Sequence, residues 1–543
     1  MKIKIVFIGV LIFCVNNFIR TQTIDTHTKG QQYDQFWSRC VGAGRANEGL
    51  RAGWLEQLKM VKENCGFQYV RFHGLFHDDM FVYFVKKDGS VVYNWQYIDE
   101  LFDRMQEIGV KPFVELAFFP KDMARQDNPR TQFWWKANIS VDQNNFGKWH
   151  DLVKAFTQHV VERYGINEVL TWYFEVWNEP DLNPGFLDGT KSDYFRLYKE
   201  SALAVKSVDK RLKVGGPSTS NFVADQRYEG EIYDKSKSVF YPDNVINTKQ
   251  WKSPWMEDFI AFCTKENLPL DFITTHPYPT DYALDPETGH ARGAVRYVNS
   301  TKDDMNWLRK ILANSKYPNA EIHLTEWSTS PGSRDPMHDQ LPPAAFIMKV
   351  NLDCIGLVNS LSYWTFTDIF EEKGGAENIF HGGFGMINFQ GIVKPSFHAY
   401  RMLHQLGDIK LYYNEPLFVS RSSKTGKISA VAFNYPKEFE AKVPRAEDVK
   451  TYMNASSKKL DVTLKNLKPN AVFQVEVLDN DHGNIKPYYD LIGAPHSPNR
   501  ELTAELKTKA RATKKSELKA DKNGNLVLKM ELSPWECVLI HEL

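Results

Sequence analysis

The stretch TWYFEVWNEPDL, residues 171–182, begins as a strand and ends as something else. Aromatic and β-branched residues run from Thr171 to Trp177, and Asn178-Glu179-Pro180 then breaks them. Proline cannot donate to a sheet ladder, so Glu179 stands where a buried strand gives way to loop. Seven other runs share the texture: FWSRCVGAG (36–44), QYVRFHG (68–74), KPFVELAFF (111–119), LKVGGPS (212–218), DFITTHPY (271–278), EIHLTEWS (321–328) and SLSYWTF (360–366). Amphipathic segments of helical length lie between them, such as 47–66 and 193–209, and PSFHAYRMLHQLG (395–407) closes the series. Short apolar strands that each precede a helix read as parallel βα units. Eight in succession imply an α/β fold, a closed (β/α)8 TIM barrel over 36–407.

Beyond Gly407 the pattern changes to alternating strands divided by polar turns, which predicts a β-sandwich over 408–543. Residues 23–35 can add an edge strand to it. Asn523-Gly524 reads as a hairpin turn, and the lysine-rich 507–522 as a solvated loop or strand face. At the N-terminus, two lysines precede an apolar run from Ile5 to Val15. That layout predicts a signal peptide over 1–22, hence a secreted or periplasmic protein. No later run has the roughly 20 apolar residues of a membrane span.

Composition removes several classes of function. Lys+Arg and Asp+Glu both number 67, so no net field draws the chain to nucleic acid. No GxGxxG or GxxxxGK[ST] follows a strand, which leaves nucleotide chemistry without support. The fifteen histidines are scattered and form no HExxH, so no metal and no cofactor are expected. Past the leader, Cys40, Cys65, Cys263, Cys354 and Cys537 make no paired framework and read as small buried apolar groups. Asn138, Asn299 and Asn454 match the N-glycosylation pattern.

In a barrel of this kind the chemistry sits where strands end. The second strand ends in His73, the fourth in Asn178-Glu179, the sixth in His276-Pro277-Tyr278, the seventh in Glu326, and the eighth in Trp364 followed by Asp368, Glu371 and Glu372. Strands four and seven face each other across the mouth, so Glu179 has a partner in Glu326. Two carboxyls flanking a gap are what glycosidic cleavage needs: one protonates the leaving oxygen, the other meets the developing oxocarbenium ion. Aromatic surroundings and a facing carboxylate should hold Glu179 protonated as acid/base, leaving Glu326 ionised as nucleophile. Asn178 can hydrogen-bond the sugar 2-hydroxyl. Trp134-Trp135, Trp251 and Trp255 are either sugar platforms or loop core, and Asp78-Asp79 should pin the loop after strand two.

WYFEVWNEPDL together with HLTEWSTSP, YVRFHGLFHDDM, TTHPYP, YWTFTDIFEE and FHGGFGMINFQGIVKPSFHAY resembles glycoside hydrolase family 39, the family of β-xylosidases and α-L-iduronidases. The resemblance implies a retaining clan A glycosidase acting on an oligosaccharide or glycoside. It implies Glu179 as acid/base and Glu326 as nucleophile, with sugar contacts from His73, Asn178, His276, Tyr278, Trp364 and Glu371. An iduronidase must neutralise a uronate, yet the loop after strand eight offers Asp368, Glu371 and Glu372 with Lys373 the nearby base. Carboxylates suit neutral hydroxyls, which points to the β-xylosidase branch. Arabinopyranosidase, β-glucosidase, β-galactosidase and iduronidase activities, or a carbohydrate-binding barrel without catalysis, are the alternatives.

Overall fold

The computed structural model describes residues 22–125, 130–131, 133–284 and 291–543. All but the last residue of the expected signal peptide lies outside them. Eight parallel strands close a barrel: β1 (Cys40–Arg45), β2 (Tyr69–His73), β3 (Lys111–Leu116), β4 (Tyr173–Val176), β5 (Lys213–Thr219), β6 (Phe272–Thr275), β7 (Glu321–Trp327) and β8 (Ser360–Tyr363). Six fall within a stretch whose pattern announces a strand, and β1 and β5 each run one residue past theirs. One helix follows each: α1 (Ala52–Cys65), α2 (Gln96–Ile108), α3 (Phe146–Tyr164), α4 (Lys191–Val208), α5 (Met256–Lys265), α6 (Ser300–Ala313), α7 (Pro342–Asp353) and α8 (Pro395–His404). Local signals set their ends. Thr190 and Asp193 form a capping box ahead of α4, and Gly66 ends α1 with φ 76°, a left-handed turn that only glycine adopts freely.

The floor of the barrel is aromatic. Tyr69, Phe113, Tyr173 and Phe272 turn inward with Cys40, and Phe113 stacks on Tyr173 at 4.8 Å. Two residues further along each strand, on the same inward face, the character becomes polar: Arg71, Glu115, Glu175 and Thr274 are all buried. The apolar layer closes one end and a charged layer lies towards the other.

Residues after Gly407 build the sandwich. Its seven-stranded sheet comprises β9 (Ile409–Asn414), β10 (Leu417–Arg421), β11 (Ile428–Phe433), β16 (Cys537–Glu542), β13 (Val472–Leu478) and β14 (Lys514–Lys519), with Gln31–Gln32 on the outer edge of β9. A three-stranded sheet sets Gln22–Asp25 beside β12 (Lys458–Lys465) and then β15 (Leu526–Leu532). The N-terminal segment thus adds a strand to each sheet. One expectation fails and one holds in part. Asn523-Gly524 makes no hairpin, because β14 and β15 on either side of it belong to different sheets. Of 507–522, the first five residues end a helix, α10 (Arg500–Arg511), which follows α9 (Lys486–Leu491), whereas β14 is the exposed edge strand that the lysines announce. Asn499 caps α10, and only Leu506 and Ala510 of it are buried.

The five cysteines among the described residues are buried, and none is paired with another of them. Asn138 is buried too, donating to Asp78 Oδ2 at 2.9 Å and to the Phe119 carbonyl at 3.0 Å. It cannot carry a glycan in the folded chain, whereas Asn299 and Asn454 are exposed. No helix among the described residues is long and apolar enough to cross a membrane.

Candidate active site

The charged layer is organised by Arg71. Its guanidinium lies 2.7 Å from Glu115, 2.8 Å from Glu175 and 2.6 Å from Glu326. It also donates to Asn178 Oδ1 at 2.9 Å and Ser218 Oγ at 3.3 Å. Burial disfavours its charge, but three carboxyls hold it protonated. One positive charge cannot satisfy three negative ones, and burial lifts Glu115 to about 8. That group is protonated near neutral pH, which leaves Arg71 to Glu175 and Glu326.

Local irregularities aim the two candidate carboxyls. On β7 the side chains of Thr325 and Glu326 both point inward, the first to Glu175 Oε1 at 2.7 Å and the second to Arg71. Neighbours on a regular strand face opposite ways. Here the register against β8 slips between Leu324 and Trp327, a bulge that lets both residues face the mouth. Beyond β4, Trp177 and Glu179 take φ of 73° and 43°, costly for residues with a Cβ. Their surroundings hold them there. The Trp177 indole is buried and donates to the Phe186 carbonyl at 2.9 Å, while Glu179 N–H donates to the Ser218 carbonyl at 2.8 Å.

Glu179 and Glu326 thereby meet. A carboxylate oxygen of each lies within 4.8 Å of the other and of a His276 ring nitrogen. Their settings differ. Glu326 accepts from Arg71 on Oε1 and from the Tyr278 hydroxyl on Oε2 at 3.1 Å. Glu179 meets His276 Nδ1 at 2.8 Å, with no lysine or arginine in contact among the described residues. Burial, then the facing Glu326 and nearby Asp181, push Glu179 far above the ordinary carboxyl range. Burial lifts Glu326 as well, but Arg71 opposes it. When the pair shares one proton, that proton belongs on Glu179.

The two histidines are neutral. Burial and Arg71 bring His73 down to about 3, and the same causes hold His276 well below its usual value. His73 Nδ1 lies 2.8 Å from Glu115. His276 Nε2 has two partners, Ser218 Oγ at 3.2 Å and Thr325 Oγ1 at 3.1 Å. The Thr325 proton is given to Glu175, so Thr325 can accept from Nε2–H. Ser218 accepts from Arg71, so its own proton can go to a bare Nε2. Either tautomer of His276 is therefore satisfied, and Nδ1 can accept from a protonated Glu179 or donate to an ionised one.

Glu179 and Glu326 line a cavity of about 480 Å³ with His73, Asn178, Tyr278 and Trp364, whereas His276 is fully buried behind it and does not line it. Because Arg71 can only donate, Asn178 must present its oxygen to it, which turns the amide NH2 away from Arg71. Trp364 stands 4.9 Å from the His73 ring. Glu371 is elsewhere: it is paired with Arg45 at 2.8 Å and Arg51 at 2.7 Å, and Glu372 lines the cavity in its place. Asp368 is spent on Lys394 at 2.7 Å. Of the three acids after β8, only Glu372 faces this cavity, its carboxyl raised to about 7 by burial. Trp135, Trp251 and Trp255 are loop core. Trp135 stacks on Phe133, Arg296 covers Trp251, and Trp255 lies against Tyr194. Asp78 does pin loops, accepting from Lys121 N–H and Asn138.

Arg71, Glu115, Glu175, Ser218 and Thr325 went without roles in the sequence reading. A charged residue at an inward position of an apolar strand was the available signal. The trio of Glu179, His276 and Glu326 also has the donor atoms of a cation site. Its chemistry does not fit one: the Arg71 guanidinium already occupies Glu326, and a second positive charge there would be repelled.

The sequence matches the family model described as Glycosyl hydrolases family 39 over residues 21–233 and 248–527. The chain belongs to that family. It is 35% identical to a β-xylosidase of Caldicellulosiruptor saccharolyticus over 95% of this chain and 97% of the relative. A β-xylosidase of Geobacillus stearothermophilus is 33% identical, with 94% and 93% covered. A monomeric β-xylosidase from Caulobacter crescentus CB15 superposes with TM-score 0.80 at 30% identity, over 96% of this chain and 98% of that one. This family 39 member is a retaining glycoside hydrolase built on a (β/α)8 barrel.

Proposed function

We propose that this family 39 hydrolase is an enzyme of the β-xylosidase type that removes a neutral sugar, with Glu179 as acid/base and Glu326 as nucleophile. The observation that carries the assignment is the asymmetry of the pair: oxygens within 4.8 Å of each other, with Arg71 on Glu326 alone. That spacing suits direct attack, which needs carboxyls about 5–5.5 Å apart, and leaves no room for the water of an inverting enzyme at roughly 6.5–9.5 Å. Glu179 gives its proton to the glycosidic oxygen as Glu326 attacks the anomeric carbon and the leaving group departs. In the second step the ionised Glu179 takes a proton from water, which displaces Glu326 from the sugar. Arg71 and Tyr278 hold the attacking carboxylate in position, His276 serves both protonation states of Glu179, and Asn178 offers its amide to the sugar.

Two observations support a neutral sugar. The long matches are to β-xylosidases. In the cavity wall, Arg227 is held by Asp225 and Asp281 at 2.5 Å and 2.8 Å, so its charge is already answered, and the other base there, Lys373, faces the field of its neighbour Glu372. The apolar leader supports export from the cytoplasm, which N-terminal sequencing of protein recovered from outside it would test. For the reaction, a panel of aryl glycosides with the product anomer followed by NMR is decisive. Release of β-xylose from the aryl β-xyloside is expected; preference for an aryl iduronide would overturn the choice of sugar.

A further inference from the structure

Beside the catalytic cavity lies a second hollow of about 540 Å³. Trp134 and Phe389 border it, 64% and 58% exposed, among the most exposed large apolar side chains of the described chain. Large aromatic faces left in water at the edge of a hollow mark a binding surface, and flat rings with polar neighbours suit the C–H face and hydroxyls of a sugar. Polar groups are present. Asn378, His381, Gln390 and Ser497 line the hollow, with His381 Nδ1 and Gln390 Oε1 buried in its wall. On its wall Glu371 is neutralised by Arg45 and Arg51 and Asp368 by Lys394, while Glu377 adds a carboxylate that can accept from hydroxyls, so the wall does not favour an anion.

The two cavities share a partition. Phe370 lines both, Glu371 faces the second hollow, and Glu372 faces the catalytic one. Trp134 is fixed to that partition by its N–H, which donates to the Glu372 carbonyl at 2.8 Å. On the far side the sandwich completes the hollow, where His496 Nδ1 lies 2.9 Å from the Glu377 carbonyl.

From this adjacency we infer that the second hollow is a carbohydrate subsite, in which Trp134 and Phe389 hold neutral sugar units of the substrate chain remote from the bond being cleaved. The inference rests on the glycosidase reading above. It would make the enzyme favour longer chains over a single sugar with a small leaving group.

The test compares wild type with Trp134→Ala, Phe389→Ala and the double variant on an aryl β-xyloside and on β-linked xylo-oligosaccharides of two to five units. Thermal unfolding checks that each variant folds. The ratio of kcat/KM for the tetramer to that for the aryl glycoside should fall about tenfold in the double variant, with the change carried by KM. An unchanged ratio would overturn the subsite. If wild type cleaves neither substrate, the β-xylosidase reading fails instead. Binding of xylotetraose, followed by saturation-transfer NMR, then decides the subsite alone: loss in the double variant upholds it, and undiminished binding removes it.

Discussion

At the scale of single residues, the account depends on two carboxyls of one kind being made unlike. Glu179 is raised by burial and by Glu326, while at Glu326, which burial also raises, Arg71 opposes the rise. The sign of each limb of the pH profile follows. As pH falls, Glu326 takes up a proton and attack is lost; as pH rises, Glu179 loses its proton and leaving-group protonation is lost. A bell-shaped kcat/KM is expected for an unactivated xyloside. With a dinitrophenyl leaving group, Glu179→Ala should lose the alkaline limb and remain active, which stopped assays across the pH range would show. Tyr278→Phe removes one hydrogen bond to a charged oxygen and should cost about 10–100-fold in kcat/KM. His276→Phe should cost a similar factor and also move the alkaline limb, because Glu179 loses its only close polar partner on Oε1. Glu179 and Glu326 were legible because each follows a recognisable strand and stands beside a tryptophan. Arg71 was not, since its importance lies in three carboxyls from three other strands that only the closed barrel brings together.

At the scale of elements, the site is made by departures from regular structure. The bulge in β7 turns Thr325 and Glu326 to the same side, and left-handed residues at 177 and 179 turn Glu179 into the mouth. Strand periodicity gives the strands themselves but is silent where the period breaks. The same limit explains the one-residue error after β8: that loop has no period, so nothing in the sequence separates Glu371, facing Arg45 and Arg51, from Glu372, facing the cavity. Helix α10 escaped for another reason. Its buried stripe is only Leu506 and Ala510, too thin to stand out from its lysines and glutamates. Arg71 is the tie between elements. Arg71→Met should abolish activity and lower stability by about 3–5 kcal/mol in urea unfolding, because it strands buried carboxylates without a counter-charge.

At the scale of the molecule, one buried cluster runs from the barrel into the sandwich, although the sandwich keeps a second core between its two sheets. Trp37 and Tyr400 of the barrel belong to the same buried cluster as Phe418, Phe433 and Trp535 of the sandwich. Arg445, on the loop between β11 and β12, reaches the carbonyls of Pro279 and Thr329, which follow β6 and β7 at the barrel mouth. A single cooperative calorimetric transition is expected, and residues 36–407 expressed alone should not fold. Two separate transitions would contradict this. The organising charge at the centre is a guanidinium, so dialysis against EDTA should leave kcat/KM unchanged; a loss restored by zinc would place a cation among Glu179, His276 and Glu326.

The central claim is that Glu326 attacks the sugar. Incubation with an activated 2-deoxy-2-fluoro-β-xyloside, followed by proteolysis and mass spectrometry, tests it directly. The account predicts a covalent sugar on the peptide carrying Glu326, at that residue. A stable adduct on Glu179 would contradict it, as would turnover of the parent xyloside with no adduct formed at any inhibitor concentration.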